Sequence, residues 1–210
     1  MAYKRVLFKD ATYQEKDSFD FVLDVVRTNP FNLEYASSNM KNNIKIVLTA
    51  IMGSRDAIQY ASKELLNNHA FATRAVMRSN IWNWLSDSLK RDREIAVMAL
   101  EHSKGVAYTP IHKSRIYKDD KDLALLAVSL DGDNYILLEG ELRNDQDIRL
   151  AAIKSGWNVV SEMSDELKTE PIMHAAMIQN KRAIIYAPEH LKNSIKMLFA
   201  CDDHGKNLMN

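Results

Sequence analysis

A period of about 25 residues constrains this chain more than any other feature. Residues 64–79, ELLNNHAFATRAVMRS, and residues 141–156, ELRNDQDIRLAAIKSG, open on Glu-Leu, pass through Asn and end in an Ala-containing apolar run. With Ala152 as anchor, equivalent positions fall at Val25, Ala50, Ala75, Ala99, Ala127, Ala176 and Ala200, in steps of 24 to 28 residues. A second mark follows each of the first seven anchors, at Met40, Leu65, Leu89, Tyr117, Leu142, Leu167 and Leu191. Two marks that hold phase over seven units identify tandem repeats, and a unit this short cannot bury its own apolar face without neighbours.

Within a unit the spacing is helical. Ile148, Ala151, Ala152 and Ser155, and likewise Ile46, Thr49, Ala50 and Gly53, follow i, i+3, i+4, i+7. Asn43, Asn68, Asp92, Asp120, Asp145 and Thr169 stand where a first helix needs an N-cap. A break such as MGSRD or SLDGDN follows, then a shorter apolar segment such as AIQYAS or AIIYAP. The expected unit is a helix, a turn and a shorter helix, and the small anchor lets neighbouring helix axes approach. The expected fold is all-α, an α-solenoid of seven to eight two-helix repeats, with an ordinary helical bundle as the alternative. The expected boundaries are an N-terminal cap or extension at 1–16, units near 17–40, 41–66, 67–90, 91–117, 118–143, 144–168, 169–192 and 193–210 in one domain, and a tail at 201–210.

Composition agrees. The 210 residues include only 6 Gly and 4 Pro, too few turn formers for an all-β fold. Cys201 is the lone cysteine, so no internal disulfide forms. No apolar run reaches the roughly 18 residues of a membrane span, and MAYKRVLFKDATYQ lacks a secretory core. A cytoplasmic soluble protein is expected.

The phrases NDQDIRLAAIKSGWNVVSEMSDELK, KDDKDLALLAVSLDGDNYILLEGELR and NNIKIVLTAIMGSRDAIQYASKELL resemble the helical repeat known as domain of unknown function 4116. The resemblance spans roughly residues 17 to 200. It implies a stack of short helices with no assigned activity, of a kind common in proteins of intracellular bacteria, secreted effectors included, and in protists. On that reading the location becomes the host cytosol if the chain is a secreted effector. The family brings no catalytic residues with it.

Chemistry-bearing motifs are scarce. There is no Gly-rich phosphate loop, HExxH or GxSxG. CDDH at 201–204 lacks a second cluster to complete a metal site. His174 reads as a partly buried histidine. Trp82 and Trp84 align with Ile58 and Tyr60, and with Leu33 and Tyr35, and read as core, while Trp157 reads as partly exposed. Met77, Met98 and Met177 read as gap fillers. No cofactor, metal or catalytic residue is expected.

Charge is uneven under a net of zero. Residues 68–118 hold nine Lys/Arg against four Asp/Glu, and residues 119–170 hold five against thirteen. The unit from Arg91 is the longest, its extra length lying in EHSKGVAYTPIHKSRIY. Insertions in repeat proteins map to one face, often the binding face. The expected function is a protein-interaction module with no enzymatic activity, binding an acidic protein partner through Arg78, Lys90, Arg93, Lys104, His112, Lys113 and Arg115. Two alternatives are a nucleic-acid-binding α-solenoid using the same basic residues and an enzyme with a site dispersed over several repeats. The acidic neighbouring third and the neutral total weigh against nucleic acid.

Overall fold

Among the described residues, four repeats are written in three helical pieces, not two. The computed structural model describes residues 8–103 and 115–202, and all regular structure among them is helical. The long helices are α1 (Phe19–Thr28), α2 (Ile44–Gly53), α3 (His69–Val76), α4 (Arg93–Ser103), α5 (Lys121–Leu130), α6 (Gln146–Ser155), α7 (Glu170–Gln179) and α8 (Glu189–Asp202). Between α1 and α2 lie a 3₁₀-helix, Pro30–Tyr35, and a one-turn helix, Ser38–Lys41. The same pair recurs as Arg55–Tyr60 with Lys63–Leu66, and as Gly132–Leu137 with Gly140–Asn144. The expected "shorter helix" is therefore a 3₁₀ segment plus a separate single turn. Residues 8–16 have the form of the back half of a tier: a 3₁₀ turn, Phe8–Asp10, then Tyr13–Lys16 with a Thr12–Glu15 capping box.

Single residues make the joints. Asn43, Asn68, Asp92, Asp120 and Asp145 accept backbone N–H groups from the first turn of α2 to α6, as their positions predict. Thr169 does not cap. Its hydroxyl is buried without a hydrogen bond, and Pro171 sits at the start of α7 instead. At the other end, the N–H of Asn29, Ser54, Asp131, Gly156 and Asn180 reaches the carbonyl of Val25, Ala50, Ala127, Ala152 and Ala176, the anchors of their tiers. These residues are extended, with φ from −145° to −160°. Asn29, Asp131 and Asn180 then cap the following 3₁₀-helix. One residue thus closes one helix and opens the next.

The chain divides into two compact units, Met1–Ile111 and His112–Asn210. In the first, α1 packs on α2, α2 on α3 and α3 on α4, while Pro30–Tyr35 packs on Arg55–Tyr60. In the second, α5 packs on α6 and α6 on α7, with their 3₁₀-helices side by side in the same order. Anchors from Ala50 to Ala176 are at most 4% exposed, which fits close approach of axes. The buried stripe is one residue out of the expected phase. It reads Ile46, Val47, Ala50, Ile51 and Ile148, Arg149, Ala152, Ile153. Thr49, Gly53, Ala151 and Ser155, which the i, i+3, i+4, i+7 spacing places on the apolar stripe, lie outside it, and the larger neighbours Val47, Ile51, Arg149 and Ile153 take the core. Smallness at position 53 serves a contact between tiers: a Cβ there would lie 2.5 Å from Pro30 Cγ.

Three further expectations change. Trp82, Ile58 and Leu33 are buried as read, but Trp84 and Tyr60 are only half-buried and Tyr35 is 39% exposed. In a 3₁₀-helix residue i+2 is turned about 240° from residue i, so these two positions cannot share a face. Among the methionines Met177 is buried, whereas Met77 and Met52 are exposed. At the C-terminal end no break separates Leu191 from Asn193. Helix α8 runs through both, Ser194 donates back to the Leu191 carbonyl (3.0 Å) and Lys192 pairs with Glu189 (2.6 Å). Lys192 favours helix where the earlier tiers place Asn42 or Asn67.

Candidate binding groove

The long helices share one register, counted from the N-cap, and that register shows where the repeat is broken. Positions 1, 5 and 9 lie on one stripe at helical spacing. In α3 to α7 they read His69-Thr73-Met77, Arg93-Val97-Glu101, Lys121-Leu125-Ser129, Gln146-Leu150-Lys154 and Glu170-His174-Ile178. Helix α1 has Phe19-Leu23-Arg27. Only α2 is apolar at all three, with Ile44, Leu48 and Met52. Since its opposite face is the buried Ile46, Val47, Ala50 and Ile51, α2 is apolar on both sides. An ordinary surface helix is polar on the second side. Ile44 and Leu48 are half-buried and Met52 is 71% exposed.

Positions 6 and 10 show a second departure. In the α3 tier they are Arg74 and Arg78, and no other helix from α1 to α7 has a lysine or arginine at either. The two departures face each other. Between α2 and α3 runs an open groove of about 620 Å³, walled by Ile44, Leu48 and Met52 on one side and by Arg74 and Arg78 on the other, with Lys45 at one end. No carboxylate lines it.

The uncharged polar groups of the groove are already engaged. Asn43 Oδ1 accepts from the N–H of Lys45 (3.0 Å) and Ile46 (3.2 Å), and Thr49 Oγ1 donates to the Lys45 carbonyl (2.8 Å). Asn42 Oδ1 accepts from Ser62 Oγ (2.7 Å). Arg78 Nη1 donates to the Arg74 carbonyl (3.0 Å), which directs its guanidinium along the helix end. Lys45 Nζ stands 5.3 Å from the Phe19 ring centroid. None of the three cations makes an ion pair among the described residues. What the groove offers is uncovered hydrocarbon beside uncompensated positive charge.

Of the residues expected to bind, Arg78 lies in this groove and is exposed. Lys90, half-buried, donates to the Asn83 carbonyl (3.1 Å) at the end of its own short helix. Arg93 is exposed at the first position of α4. The N-termini of α3 and α4 lie together, His69 Nε2 being 3.1 Å from Asp92 Oδ2. Arg93 and Arg78 therefore stand at opposite ends of adjoining helices. Arg115, exposed with φ 58°, belongs to the second compact unit. Lys104, His112 and Lys113 lie outside the described residues. Loop length and regional charge single out neither Arg74 and Lys45 nor the α2 stripe. The signal was present in composition at fixed register.

In the second unit the edge that corresponds to the Phe19–Lys45 pair is charged and paired. Lys121 Nζ lies 2.7 Å from Asp145 Oδ2 and 2.9 Å from Asp147 Oδ2. The hydrogen bond from Lys121, with help from the N–H of Ile148, holds the Asp145 carboxyl below its ordinary range, and Asp145 and Asp147 push the Lys121 ammonium up. Among the described residues no helix is long and apolar enough to cross a membrane.

Residues 18–66 and 120–168 each match the family described as Domain of unknown function (DUF4116). No curated protein and no solved structure matches the chain. The two matched segments are offset by 102 residues (18 to 120), which carries α1 onto α5 and α2 onto α6, each followed by its 3₁₀-helix. The chain thus carries two segments that match the DUF4116 family, one in each compact unit.

Proposed function

We propose that the chain is a protein-interaction module, an α-solenoid that docks a protein partner and performs no chemistry of its own. The observation that carries this reading is the groove between α2 and α3, where both departures from the repeat meet. The scaffold needs neither of them: the equivalent stripe on α6 is Gln146, Leu150 and Lys154. Uncovered apolar surface rimmed by charge marks an interaction site, and fixed charge raises the on-rate of a complementary partner.

The test is an affinity cross-linking experiment with wild type and an Arg74→Glu, Arg78→Glu double variant. Both side chains are exposed, so the variant is expected to keep its circular dichroism and melting. The reading expects a protein partner that is cross-linked by wild type, weakened by salt, and lost from the variant. A partner retained by the variant would move the binding face elsewhere. Loss of nucleic acid instead of protein, with a steep log-linear salt dependence, would favour a phosphate-binding role.

A further inference from the structure

We propose that the occupant of the groove is a short amphipathic helix with an apolar stripe and carboxylates one turn apart on its flank. This rests on the protein-interaction reading above and specifies the partner's chemistry.

The α2 wall sets the shape. From Ile44 through Leu48 to Met52 is eight steps of helix, about 12 Å of axis. All three are side chains on one helix, and the backbone groups behind them are spent in the helical ladder of Ile44–Gly53. An extended peptide docks by adding to a sheet edge, and this wall presents no such ladder. It presents a ridge at i, i+4, i+8, the pattern that receives the matching ridge of another helix. A small molecule fits less well. Ligand pockets bury about 70–90% of their ligand, and a wall residue left 71% exposed does not enclose one.

The α3 wall sets the charge. Arg74 lies in the last turn of α3 and Arg78 two residues past its end, four residues further along the chain, its Nη1 on the Arg74 carbonyl (3.0 Å). Each guanidinium presents a planar fork suited to a carboxylate. Carboxylates at i and i+4, or at i and i+3, on a docked helix lie one turn apart on one face. Lys45 adds a third cation at one end, and no acidic side chain competes for the three. The stripe and the fork pair therefore specify one register: apolar residues at one-turn intervals, with acidic residues flanking them on the side that faces α3.

The probe is a synthetic peptide of about 14 residues, held helical by a side-chain staple because unsupported helices of that length are marginal. It carries leucines at i, i+4 and i+8 and glutamates at i+3 and i+7. Fluorescence anisotropy compares it with a scrambled peptide of equal composition, a Glu→Lys version, polyglutamate and a single-stranded RNA oligonucleotide. The ordered peptide is expected to bind about tenfold or more tighter than the scramble, a difference of about 1.4 kcal/mol. The Arg74→Glu, Arg78→Glu variant is expected to lose about tenfold or more, and the loss should shrink in salt. Met52→Gln is expected to weaken binding with little salt dependence, whereas Lys154→Glu should leave it unchanged. Equal binding of the scramble or of polyglutamate overturns the proposal, because charge alone would then suffice. Preferential RNA binding overturns it, as does a dimer that the arginine reversal converts to monomer, which would make a second copy the occupant. If the peptide fails while the reversal still abolishes a cross-linked protein partner, the helical occupant is wrong and the interaction reading stands. If the reversal removes neither, both fall.

Discussion

Residues 18–66 and 120–168 share one scaffold and join their tiers by different chemistry. Position for position, offset by 102, buried Val47 becomes buried Arg149, Pro30 becomes Gly132, Gly53 becomes Ser155, and the Phe19–Lys45 pair becomes Lys121–Asp147. What stays is the asparagine of the 3₁₀-helix. Asn32 Nδ2 donates to the Val25 carbonyl and Asn134 Nδ2 to the Ala127 carbonyl, each at 2.9 Å. The comparison teaches that the repeat dictates backbone closure and anchor size. How one tier grips the next is left open to more than one solution.

The first solution is a serine ladder. Ser62 caps its own short helix by accepting from the Leu65 N–H (3.0 Å) and donates to Asn42 of the tier before (2.7 Å). Ser86 does the same with Leu89 (3.3 Å) and Asn67 (2.6 Å), and Ser37 donates to Asp17. The second solution is arginine. Arg149 spreads its guanidinium over the carbonyls of Asn144 (3.2 Å), Asp145 (3.4 Å) and Leu167, while Arg143 reaches the Glu162 carbonyl (3.0 Å) and stands 5.3 Å from the Tyr135 ring centroid. Ser164, the counterpart of Ser62, makes no such link among the described residues.

The largest expected effect is at Arg149, which is 7% exposed. Arg149→Ala removes three charge-assisted hydrogen bonds to the carbonyls of Asn144, Asp145 and Leu167 and leaves a hole where the side chain was buried, at about 2–4 kcal/mol. Amide exchange over residues 146–162 should accelerate while exchange over 44–60 stays put. Arg149→Val, copying Val47, should recover part of the loss. If it matches wild type, the guanidinium contributes nothing to the joint and the contrast between the two segments collapses.

Next is the exchanged pair. Gly53→Ser brings Cβ to about 2.5 Å from Pro30 Cγ, a rigid ring atom, and overpacking of this kind costs about 1–3 kcal/mol. In the other segment Ser155 coexists with Gly132, whose N–H donates to Ser155 Oγ (3.0 Å). Gly132 must itself be small, since a Cβ there would meet the Ala152 carbonyl oxygen at 2.7 Å. Pro30 has no N–H, so it needs no acceptor at position 53. The double variant Pro30→Gly, Gly53→Ser should therefore cost less than the sum of its parts in a urea-denaturation cycle, with a coupling of about 0.5–3 kcal/mol. Additive costs would mean that the two positions are independent.

The fold was legible because its signals repeat. Caps at Asn43 or Asp145 and anchors at Ala50 or Ala152 are each dictated by one residue, and a period makes them audible. The split of the second helix into a 3₁₀ segment and a single turn was not legible, since AIQYAS and YILLEG have apolar runs too short to distinguish periods of 3.0 and 3.6. The groove was legible in principle. Each half of it is an ordinary-looking residue set, and only comparison at fixed register shows that Ile44 and Met52, or Arg74 and Arg78, depart from their counterparts. Arg149 escaped because an arginine on a helix reads as solvent-facing until the acceptors at Asn144 and Leu167 are placed around it.

Smaller effects separate the two kinds of joint. Ser62→Ala loses a cap and a hydrogen bond between tiers, about 1–2 kcal/mol by thermal melting. Ser164→Ala should fall within about 0.5 kcal/mol of wild type. A comparable loss at Ser164 would show that the second segment uses the serine ladder as well.

The smallest difference concerns pH, at the edge where Lys121 meets Asp145 and Asp147. Asp145 is held below its ordinary value by Lys121, so its contribution is present above about pH 3.9, the unfolded value, and is lost as pH falls through the lower folded value. Lys121 is raised by Asp145 and Asp147, so its contribution is present below about pH 10.4, the unfolded value, and is lost as pH rises through the higher folded one. The link is therefore intact from about pH 4 to about pH 10. The corresponding edge of the first segment pairs Lys45 with the Phe19 ring, and the exposed Asp20 in the first turn of α1 has no ion pair to a neighbouring tier among the described residues. Amide exchange at the start of α5 should thus rise in strong acid relative to the start of α1. Lys121→Met should abolish that difference and return the Asp145 carboxyl, followed by nuclear magnetic resonance titration, toward its ordinary value. Lys121 and Asp147 are exposed and Asp145 is partly so, so salt should blunt the effect. If acid loosens both edges equally, the edge pairs play no part in telling the two segments apart, and the difference between them rests on Arg149 and the Pro30–Gly53 exchange alone.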